Sequence, residues 1–70
     1  MRKVKASNVR IGDFVTTRRP YNGHVAESAK TGTVETIIHV GKEWADFTLT
    51  NGERFTANVS LSDPDTVWKE

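Results

Sequence analysis

Apolar and polar residues alternate along most of this chain instead of recurring every three or four positions. "TGTVETIIHV" (31–40), "WADFTLT" (44–50), "ERFTANVSL" (53–61) and "TVWK" (66–69) are rich in Val, Ile, Thr, Phe and Trp, with Gly, Asn and Asp between them. That composition and a period near two describe strands with one face on a core. Helical spacing is absent apart from one turn's worth at "HVAESAK" (24–30). Ser7 or Asn8 can bond its own backbone, and Gly12-Asp13 turns the chain before a first strand opens at Phe14. In the next strand Val34, Ile38 and Val40 are separated by four and two positions and are expected to face inward.

The register of the Asn51-Gly52 hairpin follows from burial. A two-residue loop would pair Thr48 with Phe55 and put Phe55 and Val59 on the face opposite Phe47 and Leu49. A three-residue loop, Thr50-Asn51-Gly52 with Gly52 left-handed in a bulge, pairs Leu49 with Glu53 and Phe47 with Phe55. Ala45, Phe47, Leu49, Phe55, Ala57 and Val59 then share one face, while Trp44, Asp46 and Thr48 take the other. A one-residue slip reverses every side chain, so burial selects the bulged loop. After Leu61, Ser62 or Asp63 can cap a short 3₁₀ turn with Pro64 in its first position, ahead of a last strand at Thr66–Lys69. The order is strand, long loop, strand, short turn, strand, tight hairpin, strand, 3₁₀ turn, strand: a five-stranded all-β domain.

Seventy residues allow a single small domain, whose core is marginal. Without cysteine, neither a disulfide nor thiolate-bound zinc can brace it. No apolar run approaches the roughly 20 residues that span a bilayer. No apolar signal core follows the basic start, so a cytoplasmic protein is the expectation. Net charge is only +1, yet residues 1–30 hold seven Lys and Arg against two acids, and residues 31–70 hold three against seven. Such asymmetry marks either a polyanion-binding face or strands whose charges pair across the sheet.

The pieces "RIGDFV" and "TGTVETI" resemble the Gly-Asp-x-Val and Gly-x-Val elements of KOW-type and related SH3-like modules. Over nearly the whole chain the layout is also similar to a small actinobacterial SH3-like family of unknown function. The matching pieces are Gly12-Asp13, Thr31 to Ile37, Asn51-Gly52 and Pro64 to Val67; Ser62-Asp63 before the proline and a longer first loop depart from the pattern. The resemblance implies a small SH3-like barrel with a long first loop, and it speaks to fold more than to function. SH3 domains that bind proline-rich peptides use an aromatic groove. Trp44 falls where they place the groove tryptophan, but Thr66 stands where a tyrosine is expected and no acidic cluster lines the first loop.

His24 and His39 are the only imidazoles, and nothing in their spacing suggests a metal site or a nucleophile with its base. A non-catalytic binding module is therefore expected, a regulatory or accessory protein of bacterial or phage origin, with no cofactor, small-molecule substrate or membrane. Nucleic acid is the first candidate partner. Arg18, Arg19 and Lys30 can contact phosphates while Tyr21, His24 or Trp44 stacks on bases, and Lys3, Lys5 and Arg10 can extend the patch. Arg18 and Arg19 point to opposite faces if the strand continues, so only one serves. Protein is the second candidate: Trp44 with Ile37 and Phe14 can form an apolar patch for a homodimer or another protein. Trp68 is expected to close the core. The long loop carrying these residues, Arg18 to Gly32, is read either as a second hairpin at Asn22-Gly23 whose far arm runs to Ser28, or as one helical turn over "VAESAK".

Overall fold

The computed structural model describes all 70 residues, Met1–Glu70. It is all-β, with six strands in one antiparallel sheet. They are β1 (Arg2–Lys5), β2 (Phe14–Thr16), β3 (Thr31–Val40), β4 (Trp44–Leu49), β5 (Arg54–Asn58) and β6 (Thr66–Lys69). The order across the sheet is β1-β6-β2-β3-β4-β5. The sheet is open, with β1 and β5 as its edges. Asp65 stitches the two ends together without a ladder. Its N–H donates to the Asn58 carbonyl at 2.8 Å, its carbonyl accepts from Ala6 N–H at 2.8 Å, and its carboxylate accepts from Asn58 N–H at 2.7 Å. No helix is long and apolar enough to cross a membrane.

There are six strands rather than the five expected. The added one is β1, which pairs with β6 from Arg2↔Lys69 to Lys5↔Thr66. Three of its four residues are cations and only Val4 is apolar, which suits an edge strand protected by charge. The 3₁₀ turn is also displaced: it forms at Ala6–Asn8, directly after β1, and not before the last strand. Between β5 and β6 the chain only bends, because side-chain acceptors hold it there. Ser60 N–H donates to Asn58 Oδ1 at 2.8 Å and Asp63 N–H to Ser60 Oγ at 3.2 Å. Such local bonds compete with a helical turn.

The β4–β5 hairpin takes the bulged register. Phe47 pairs with Phe55 and Ala45 with Ala57. Leu49 N–H donates to the Glu53 carbonyl at 2.8 Å, and Gly52 has φ 86°. The two phenylalanine rings stack at 4.9 Å with 8° between planes. Asn51 fastens this turn to β3, its Nδ2 donating to the Thr31 carbonyl at 2.7 Å while its Oδ1 accepts from Glu53 N–H. The core behind it is Ala6, Val9, Val15, Val34, Ala45, Phe47, Leu49, Ala57 and Val67.

β3 departs from simple alternation. Val34 pairs with Leu49 and Thr36 with Thr48, so Glu35 is an extra residue, a bulge. Val34 is buried as expected, but past the bulge the parity reverses. Ile37 and His39 face the core side, opposite Phe47 and Ala45. Ile38 and Val40 face outward, opposite Asp46 and Trp44, and are 60% and 52% exposed. The inward placement expected for Ile38 and Val40 is therefore corrected, and so is that of Trp68. Val67 fills the core, which turns Trp68 to the other face, where it is only partly buried between Lys3 and Thr16.

Candidate functional site

The loop from Thr17 to Lys30 begins and ends as an extension of the β2–β3 ladder. Thr17 N–H donates to the Lys30 carbonyl at 3.0 Å and Lys30 N–H to Thr17 Oγ1 at 2.9 Å. Its tip is a two-residue hairpin in which Tyr21 and His24 exchange both backbone bonds at 2.9 Å. Asn22 and Gly23 have φ of 50° and 77°, the double left-handed geometry that an Asn-Gly pair tolerates. The far arm does not continue as a strand to Ser28, nor is "VAESAK" helical; Ala29 N–H closes a single turn onto the Ala26 carbonyl at 3.0 Å. Ala29 is buried, and so is Thr16 on the outer side of β2, where its hydroxyl lies 2.7 Å from that of Thr31.

This fold-back builds a groove of about 570 Å³ lined by Met1, Lys3, Arg19, Pro20, Gly23 and Trp68. Lys3 and Trp68 are cross-strand partners on β1 and β6, and the loop brings Arg19 to them. Two cationic side chains thus share a groove with a partly exposed indole. Arg19 also lines a shallower hollow with Tyr21, Asn22, His24, Val25 and Ala26. Tyr21 is 79% exposed there. Arg19 is the residue that the two hollows share.

Of the residues expected to bind nucleic acid, Arg19, Tyr21 and His24 are brought together. Arg18 lines neither of these hollows. Lys30 does not line the groove; it lines another depression that Trp68 also borders, with Thr17, Asp65 and Thr66, and its ammonium is 3.6 Å from Glu53 Oε2. Two residues of the groove lie outside the set that sequence reasoning places at the site: Trp68, expected to close the core, and Lys3, expected only to extend the patch. The residue pattern holds a signal for Trp68 alone, since Val67 and Trp68 are adjacent in a strand and only one of them can face inward.

The apolar patch expected around Trp44 is rearranged. Trp44 is outward and 45% exposed, but its strand partner is Val40, with Ile38 two pairs further along on the same face. Ile37 is on the core side, carried there by the Glu35 bulge, and packs against the core. Phe14 pairs with Thr33, seven positions from Val40 along β3. At about 3.3 Å per residue that is roughly 23 Å from the Trp44 pair, too far to share its patch. The patch is Ile38, Val40 and Trp44. Comparison with protein-family models, curated proteins and solved structures found no match to this chain.

Proposed function

We propose that this chain is a non-catalytic, SH3-like binding module that takes single-stranded nucleic acid in the groove at Trp68. The fold reading is supported by strand order: β6-β2-β3-β4-β5 is the neighbour sequence of a small SH3-like barrel, with the long loop after its first strand and β1 added outside. The observation that carries the function is the meeting of Lys3, Arg19 and Trp68 in one hollow, with Arg19 also lining the hollow that holds Tyr21. Single-strand binders combine phosphate-tracking cations with aromatic faces on which any base can stack. The test is fluorescence anisotropy with mixed-sequence single-stranded DNA and RNA over a salt series. Binding at low salt that weakens with a log–log slope near −0.7 per phosphate contacted is expected, as is a drop in affinity in an Arg18→Ala/Arg19→Ala double variant. No binding at low salt rejects the reading.

A second reading, a protein contact, is favoured by one observation: Ile38, Val40 and Trp44 form a contiguous, exposed apolar patch on the outer face of β3 and β4. Patches of this kind on small domains mark interaction surfaces.

A further inference from the structure

Beyond that groove, the core side of the far half of β3 remains uncovered. Here Ala6, Val9, Ile11, Ile37, Phe47 and Val59 form the apolar lining of a cleft of about 460 Å³, with Ser7, Arg10 and His39 also in its wall. Ile11 is held out at 66% exposure by the turn in which Arg10 N–H donates to Asp13 Oδ2 at 2.8 Å and Asp13 N–H to the Arg10 carbonyl. The only ion pairs in the molecule are Lys30–Glu53 and Lys69–Asp13, so the side chains of Arg10 and His39 have no acidic partner.

Two residues beyond Val59 stands the most exposed large apolar side chain of the chain, Leu61, at 97%. Asp63 follows it, and its carboxylate likewise takes part in no ion pair; only its backbone N–H is bonded, to Ser60. An apolar knob and an acid thus follow Val59, which lines the cleft, at two and four residues along the chain, and the cleft wall holds Arg10 and His39. A surface bearing both halves of a contact side by side meets a copy of itself across a two-fold axis, each knob entering the other's cleft.

We propose that two copies of this chain associate through this surface. Leu61 of each copy enters the cleft of the other, and Asp63 lies against Arg10 and His39. The contact is independent of the Trp68 groove and of the Ile38–Val40–Trp44 patch. A chain in which only 12 of 70 residues are buried gains apolar burial from such a pairing.

Sedimentation equilibrium of the whole chain, from about 10 μM to about 1 mM to cover weak contacts, tests this. The mass is expected to rise from 7.8 kDa toward twice that value. Leu61→Glu should remain a monomer throughout with an unchanged melting temperature, since Leu61 is free of the core. Asp63→Arg should weaken association at least tenfold, and adding Arg10→Glu should restore most of it. A monomer at every concentration overturns the proposal. So does a dimer that Leu61→Glu leaves intact, including one that Trp44→Glu dissociates instead.

Discussion

The two tryptophans of this chain both face away from the core, yet their surroundings are opposite. Trp68 lies between Lys3 and Thr16, partly covered by the loop that carries Arg19 and Pro20. Trp44 is 45% exposed beside Val40 and Asn58, with Asp46 on the same face. The difference comes from connection length. A loop of 14 residues between β2 and β3 can fold back and bury Ala29 and Thr16, whereas the three residues between β3 and β4 can only reverse the chain. An aromatic residue on a strand thus acquires charge and shape from the nearest long loop; without one it offers only apolar area.

The largest effect expected on this contrast comes from an aspartate placed on either side of the bulged strand. Ile37→Asp, on the face that the Glu35 bulge turns to the core, should cost about 3 kcal/mol or more, because a charge then enters apolar packing. Ile38→Asp, on the outer face, should change the stability read from the urea midpoint by no more than about 0.5 kcal/mol. Equal losses would mean that the bulge does not set the two faces. Next comes Trp68→Ala, which should cost about 1–3 kcal/mol in single-strand affinity, the range for one stacked base. Trp44→Ala should leave that affinity unchanged, and equal losses in parallel titrations would erase the distinction between the faces. Smallest is Arg18→Ala. It should change the salt slope by less than about 0.2, against about 0.7 for Arg19→Ala; the reverse ranking would move the phosphate path to the other side of the loop.

Much of the architecture was legible because burial constrains it. The β4–β5 register could be read from six apolar residues that must share a face, and the stacked Phe47–Phe55 pair is its direct consequence. β3 misled at one residue. In "VETIIHV" the spacing of Val34, Ile38 and Val40 fits an unbroken strand as well as a bulged one, and adjacent isoleucines supply an apolar residue to either face. β1 was illegible for another reason: with one apolar residue in four, an edge strand carries almost no alternation. Its pairing is decided by Val4 meeting Val67 across the sheet, a contact with no local signature. The candidate groove was half legible. Arg19 and Tyr21 stood out by type, whereas Lys3 and Trp68 become neighbours only through the pairing of the first strand with the last.

That pairing of first strand with last also governs how the chain can be cut and joined. With Arg2 opposite Lys69, the two ends lie side by side, so a linker of a few residues would close the chain into a ring. New ends could then be opened at the exposed Gly41–Glu43 turn, the kind of surface reversal that tolerates permutation. Met1 and Trp68 line the same hollow, so an affinity tag fused at either end would emerge beside the indole. A permuted chain tagged at Lys42 would leave that hollow clear.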